Sequence, residues 1–256
     1  VTYIAWDYTL ERTVAIKEYF PHEFSTRSPG STDITIYTGD KQTQFETGKD
    51  KFIDEAQRLA KFSAVPAIVE TLDSFTANNT AYIVMEYLKG HTLEAKLDQE
   101  NKLSVQEATA IILPVLYALV AVHKLNIIHR DISPSNIFLC DDGRIKVMDF
   151  GAARYVNADQ SKSLSVILKP GYAPEEQYRS KGAQGPWSDV YACAATMYRM
   201  LTGVVPETSI ERISTDNLKA PDKIAPDIPE NISAAVMNAL NIYKKDRTQT
   251  AEQFIE

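Results

Sequence analysis

The sequence predicts an α+β fold in which a small, sheet-rich N-terminal part precedes a larger helical part. Three observations carry that expectation. Two runs dense in β-branched and aromatic residues, TVAIKEYF at 13–20 and AYIVMEYL at 81–88, fall early in the chain. The most apolar run, IILPVLYALVAV at 111–122, comes after them, followed by a second apolar stretch at 188–203. The 256 residues are 44% hydrophobic and 24% charged, an ordinary globular profile and enough chain for two lobes that share a cleft.

In chain order, the first strand places Ala15 and Lys17 on one face, since alternate side chains of a strand point the same way. Residues 21–49 are polar and rich in Gly, Ser and Thr, and read as an inserted loop with a short strand at DITIYTG. DKFIDEAQRLAKF, at 50–62, has helical spacing, with Phe52, Ala56, Leu59 and Phe62 along one face. Glu55 shares a face with Leu59 one turn on, so a carboxylate accompanies that apolar stripe. The strand at 81–88 closes the first part, giving an expected boundary between residues 1–88 and 89–256. Ser104 with Glu107 suits a capping box ahead of the 111–122 run. That run is too short to span a bilayer and carries Pro114, so a buried core helix is expected. Helices dominate thereafter, apart from short strands at NIFLC and RIKVMDF. SDVYACAATMYRMLTG is apolar nearly all round and ends on Gly203, as a buried helix with a glycine C-terminal cap does. No stretch reads as a signal peptide, an internal repeat or a low-complexity tract.

The net charge of -7 argues against nucleic acid or an anionic membrane as the main partner. Cys140 and Cys193 sit in apolar surroundings without paired spacing, and read as buried thiols of a reducing compartment.

The chemistry concentrates in HRDISPSN, His129–Asn136, and in the DFG that follows at 149–151. Two strands joined by the turn DDGR bring Asn136 and Asp149 back toward each other. An amide oxygen and a carboxylate at one place suit a hard cation such as Mg2+, which accompanies phosphates. Asp131, earlier in the turn, can accept a proton from a hydroxyl nucleophile. Each residue alone reads more readily as something plainer: Lys17 as a surface lysine on an edge strand, Asp131, Asn136 and Asp149 as turn residues. Together, in this order, they point to phosphoryl transfer.

The set VAIK, HRDxxxxN and DFG resembles the protein-kinase signature, and VAIKEYFP with GYAPEEQY is most similar to the eukaryotic-type Ser/Thr kinases of bacteria. The resemblance spans the whole chain. It implies a bilobal protein-kinase-like fold: a small antiparallel-sheet N-lobe with one main helix, residues 1–88 with an insertion at 21–49, and a larger helical C-lobe, 89–256. It implies ATP with Mg2+ or Mn2+. Lys17 would hold the α- and β-phosphates and pair with Glu55, Asp131 would orient and deprotonate the acceptor, and Asn136 and Asp149 would bind metal. Met85 would stand at the hinge entrance, with backbone groups of Glu86 and Leu88 bonding adenine. Ala15 and Phe138 would sandwich the ring and Val1 would roof it. His129, Phe150 and Leu59 fall in the apolar column that the family aligns when active, and Asp189 would brace the catalytic loop.

The sequence departs from the family in its phosphate loop, in the linked pair Ser133 and Lys169, and in its Ala-Pro-Glu motif. No G-x-G-x-x-G occurs and the first glycine is Gly30, so the chain is expected to begin inside the N-lobe. Ser133 stands where Ser/Thr kinases carry a Lys that steadies the transferred phosphoryl group. Lys169 stands where a Thr normally packs against the catalytic loop. The expectation is a swap, with Lys169 reaching back to Asp131; the alternative is a solvent-facing loop lysine. Finally, GYAPEEQ offers both Glu175 and Glu176 as partner to Arg247, and the count from Tyr172 favours Glu176. Arg130 beside the catalytic Asp implies control by activation-segment phosphorylation, with Ser161, Ser163 and Ser165 as candidates. The implied partners are protein substrates and a second copy for autophosphorylation, without nucleic acid or membrane contact within this segment. The implied location is cytoplasmic, alone or as the cytosolic domain of a membrane-anchored protein. The competing class is a pseudokinase or nucleotide-binding signalling scaffold.

Overall fold

The structure, a computed structural model, describes residues 1–150, 154–155, 168–179 and 182–256, with backbone alone at 154–155. The chain divides into two compact units, Val1–Lys89 and Gly90–Glu256.

In the first unit, β1 (Thr2–Asp7) turns back antiparallel onto β2 (Arg12–Glu18), setting Ile4 opposite Ala15 and Thr2 opposite Lys17. The 21–39 excursion holds a two-residue pairing of β3 (Ser25–Thr26) with β4 (Thr35–Ile36). It is fastened to β2 through Glu18, whose buried carboxylate pairs with Arg27 and accepts hydrogen bonds from Tyr82 Oη (2.7 Å) and Tyr3 Oη (2.8 Å). Burial pushes the Glu18 carboxyl up, but those bonds outweigh it and leave the pKa below the usual range.

The main helix, α1 (Asp40–Ala60), begins ten residues before the apolar pattern does. Its first half is polar, and two residues hold it down. Phe45 is fully buried, with its ring 5.1 Å from that of Tyr19. Gly48 lies so close to the same ring that an added Cβ would stand 1.9 Å from Tyr19 Oη. A helix-interior glycine costs about 1 kcal/mol relative to alanine; here it allows close packing on Tyr19. What the composition marks as loop is therefore helix from residue 40 onward. β5 (Thr71–Ala77) and β6 (Thr80–Glu86) form a hairpin through Asn78 and Asn79, both at positive φ as tight two-residue turns require. The sheet order is β1-β2-β6-β5, and Phe52 and Ala56 of α1 pack on Ala81 and Ile83 of β6.

The second unit opens with β7 (Gly90–Thr92), α2 (Leu93–Glu100) and α3 (Val105–Lys124). Ser104 Oγ accepts the Glu107 N–H at 3.2 Å, while the Glu107 carboxylate lies on Lys96 at 2.9 Å. At 20 residues α3 as a whole is long and apolar enough to cross a membrane by length and composition, a test that core helices also pass. In the fold it packs against two helices named below and buries Ile111, Ile112, Val115, Leu116, Leu119 and Val122. At roughly 1.5–3 kcal/mol for each large apolar side chain fully buried, this helix anchors the unit. β8 (Ile127–Ile128) follows, then a 3-10 turn at Pro134–Asn136, then the hairpin of β9 (Ile137–Cys140) and β10 (Ile145–Val147). β10, β9 and β7 form one small antiparallel sheet, and β11 (Arg154–Tyr155) pairs with β8. The rest is helical: α4 (Glu175–Tyr178), α5 (Pro186–Thr202), α6 (Ser209–Ser214), α7 (Pro221–Ile224), α8 (Glu230–Ala239) and α9 (Ala251–Ile255). α3 meets α5 and α9, and α5 meets α8. α5 is buried on nearly every side and stops at Gly203, whose φ of 75° lets its N–H return to Arg199 O at 3.0 Å. Cys140 and Cys193 are free and buried, and burial holds the Cys193 thiol well above its usual pKa.

Candidate active site

The loop from His129 to Asn136 joins β8 to β9, and the ladder of β9 with β10 sets its exit. Val147 lies opposite Ile137, and the Met148 N–H donates to Asn136 O at 2.9 Å, so Asp149 directly follows a residue tied to Asn136. Asn136 Nδ2 donates to both Asp131 O (2.7 Å) and Asp131 Oδ2 (2.8 Å). With its NH2 so engaged, the group it offers a cation is the amide oxygen. An amide oxygen and the Asp149 carboxylate are hard donors of the kind Mg2+ takes alongside phosphate and water, so the residues fit that ion.

Lys169 lies on Asp131 and on two serines. Its ammonium is 3.2 Å from Asp131 Oδ1 and donates to Ser133 Oγ and Ser135 Oγ, each at 2.8 Å. Arg130 and Asp149 both hold left-handed backbone conformations, φ 73° and 57°, which are uncommon outside glycine and gather at functional sites.

The loop is braced from the helical core. Asp189, fully buried near the start of α5, accepts the N–H groups of His129 and Arg130, each at 2.8 Å, and lies 2.8 Å from His123 Nε2. Burial pushes the Asp189 carboxyl up, yet the His123 hydrogen bond and the neighbouring donors bring it below its ordinary value. His129 Nδ1 accepts the Asp131 N–H at 3.2 Å while Nε2 donates to Met148 O at 3.1 Å, and both bonds together require the neutral Nε2–H tautomer. Burial lowers the His129 pKa and keeps it in that form. Its ring meets Phe150 edge-on at 4.3 Å. Arg130 Nε donates to Gln184 Oε1 (2.6 Å) and its carbonyl accepts from Gln177 Nε2 (2.8 Å).

The partner of Arg247 is Glu176, through Nη1–Oε1 at 2.7 Å and Nη2–Oε2 at 3.2 Å, both side chains being buried. Glu175 pairs instead with Arg179, the residue that follows the same short helix.

Within the first unit, Lys17 Nζ lies 3.5 Å from Oε1 of buried Glu55 and 6.0 Å from the Phe52 ring centroid. Ala15 stands directly opposite Met85. The Glu86 N–H donates to Glu70 O at 3.0 Å, and its carboxylate accepts the Glu70 N–H at 2.9 Å. Leu88 is half-buried. Val1 is exposed and exchanges main-chain hydrogen bonds with Glu18. In the second unit, half-buried Phe138 sits on the central strand of its sheet, opposite Thr92 and Lys146. Gly151, Ser161, Ser163 and Ser165 lie outside the described residues.

Four participants were not picked out from the sequence. Ser135 lies within the HRDISPSN motif, but its role depends on where Lys169 falls. Gln177 and Gln184 are polar residues of the kind that loops carry anywhere, and His123 reads as one more basic residue at a helix end.

The second unit carries a carboxylate fixed by an amide and a second carboxylate at the end of the next hairpin, and the first unit carries a strand lysine paired with a helix glutamate; these are residue types that phosphoryl transfer uses. A family model described as "Protein kinase domain" matches residues 34–256, and the chain belongs to that family. It is 34% identical over 221 residues to the probable serine/threonine-protein kinase PknB of Corynebacterium glutamicum, covering 80% of this chain and 34% of that protein. It is 36% identical over 179 residues to the serine/threonine-protein kinase PknL of Mycobacterium tuberculosis, covering 70% and 43%. It is 30% identical over 265 aligned positions to the tyrosine-protein kinase MasK of Myxococcus xanthus, covering 96% and 38%. Among solved structures, "PpkA-294 apo form" superposes with a TM-score of 0.87 at 31% identity, covering 100% of this chain and 91% of that one. The fold is accordingly that of a protein kinase, with a small antiparallel-sheet unit and a larger helical one. The chain spans about a third of the length of the first of these curated relatives and about two fifths of the other two.

Proposed function

We propose that this chain transfers the γ-phosphoryl group of ATP to serine or threonine hydroxyls of proteins, a second copy of itself among them. The observation that carries the reading is Asp131, held by Asn136 at 2.7 and 2.8 Å in a loop whose own amides are fixed by a buried carboxylate. A carboxylate so oriented takes the acceptor's proton as the new oxygen–phosphorus bond forms; the bond to the bridging oxygen breaks and its electron pair leaves with ADP. Asn136 and Asp149 would hold the metal, which when bound supplies charge neutralisation on the phosphates. Lys17, steadied by Glu55, would contact the α- and β-phosphates. Met85, Glu86 and Leu88, with Ala15, Phe138 and Val1, would receive the adenine.

A second reading, a nucleotide-binding scaffold with little catalysis, is favoured by the uncharged Ser133 in the catalytic loop. The experiment that separates them measures Mg-ATP binding and then transfer of labelled phosphate to casein and to the chain itself, beside an Asp131→Asn control. Binding with transfer that the control loses supports the kinase. Binding with no transfer supports the scaffold, and no binding defeats both. Analysis of the labelled amino acids assigns the acceptor, with phosphotyrosine overturning the Ser/Thr assignment.

A further inference from the structure

We propose that Lys169 is the cation that steadies the phosphoryl group in flight, delivered from outside the catalytic loop and seated there by Ser133 and Ser135. The inference rests on the kinase reading above and adds a catalytic residue to it.

In phosphoryl transfer there is little covalent work for the protein, so fixed positive charge near the moving group is a large part of the catalysis. The catalytic loop of this chain carries no lysine: the sequence from Asp131 to Asn136 is Asp-Ile-Ser-Pro-Ser-Asn. Its one cation, Arg130, points its Nε at Gln184. The ammonium that does lie on Asp131 comes from thirty-eight residues along the chain, at 3.2 Å from Oδ1. Two neutral hydroxyls orient it at 2.8 Å each without cancelling its charge. Ser133 is itself buried, at 1% exposure, so that seat is part of the packed loop. The Lys169 side chain is 31% exposed and Asp131 25%, which leaves the pair open to a substrate rather than sealed in the core.

The segment that carries Lys169 is itself anchored. The Lys169 carbonyl accepts the N–H groups of Tyr172 and Ala173, Ser209 Oγ donates to Ala173 O at 2.9 Å, and Glu176 closes on Arg247. An arrangement of this kind ties the catalytic charge to the order of the segment before α4. A kinase whose cation stands in the loop itself has that charge regardless of the segment.

The test is a reciprocal exchange, read as steady-state phosphoryl transfer from Mg-ATP to casein with folding followed by thermal melting. Lys169→Met is expected to lower kcat about 10²-fold with the KM for ATP changed less than about threefold, as loss of one charge-stabilising donor does. Ser133→Lys combined with Lys169→Thr is expected to recover at least tenfold of that loss, because the ammonium then enters from the loop. A Lys169→Met rate within threefold of wild type, or above it, overturns the proposal; a rise would mean that the ammonium masks Asp131. A loss that the double variant fails to recover, with both variants folded, assigns Lys169 a structural role and also overturns it. Wild-type protein that transfers no phosphate removes the kinase reading and this inference together, whereas the other outcomes leave that reading intact.

Discussion

Asp131 and Lys17 are the two charged side chains that the sequence marks most clearly for the same reaction, and the fold holds them by different means. Around Asp131 the fixing bonds run from 2.7 to 3.2 Å and come from several elements: Asn136 beyond the turn, Asp189 on α5 through the preceding amides, and Lys169. Lys17 and Glu55 stand 3.5 Å apart, longer than the roughly 2.7–2.9 Å of a tight charge-assisted bond. Their approach depends on how α1 packs against β6 through Phe52 and Ala56. The difference teaches that Asp131, the proposed proton acceptor, is set by a hydrogen-bond network anchored on the buried Asp189. The lysine–glutamate pair is set by helix packing, so a small shift of α1 changes it.

The sharpest way to break the comparison is to remove each group in turn. Asp131→Asn should reduce phosphoryl transfer by about 10³-fold or more while the melting temperature stays close to wild type, since the neighbouring donors remain. A rate within tenfold of wild type in a transfer assay would remove Asp131 from the base role. Glu176→Ala leaves Arg247 charged and buried, and should destabilise the fold by about 3–5 kcal/mol in chemical denaturation. Glu175→Ala should change stability by less than about 1 kcal/mol, because its partner Arg179 is 58% exposed. Equal effects of the two would refute the assignment of the anchor. Glu55→Gln, which keeps the shape and removes the charge, should lower kcat/KM about tenfold, equivalent to about 1.4 kcal/mol. A loss as large as that of Asp131→Asn would show that the two regions are equally rigid.

The smallest expected effect is on pH dependence. The folded pKa of His129 lies below its ordinary 6.5, with burial the leading cause. The unfolded chain therefore takes up a proton that the folded chain resists. The stability tied to this group is complete above 6.5 and declines as pH falls through that value toward the folded pKa. Melting temperatures recorded between about pH 7.5 and 5.5 should fall further for wild type than for His129→Phe. Parallel curves would place the linkage elsewhere.

How much of this was legible in the sequence depends on whether the deciding contact is local. The strands around Lys17 and Met85, the buried α5 with its Gly203 stop, and the choice of Glu176 over Glu175 all follow from periodicity, cap chemistry or motif spacing. The first half of α1 does not. DKQTQFETGK is polar and contains a glycine, and only the far-off Tyr19 explains both Phe45 and Gly48. The clasp of Glu18 by Arg27, Tyr3 and Tyr82 was equally hidden, because Tyr82 lies 64 positions from Glu18. The start of α3 was legible, because Ser104 caps it as the sequence suggests. At the site, Asp131, Asn136 and Asp149 are named by spacing, whereas Ser135, Gln177 and Gln184 take their meaning from segments folded back onto them.

The backbone of Arg130 is gripped at both of its polar groups, its N–H by the carboxylate of Asp189 and its carbonyl by the amide of Gln177. Those two partners belong to α5 and to the short helix before it, so the strained turn cannot swing without pulling on both. The loop has little independent breathing of its own. By that coupling, opening of the turn requires loosening of the best-buried helix in the unit, so amide exchange at Arg130 is expected on the slow timescale of the core rather than the fast one of a surface turn.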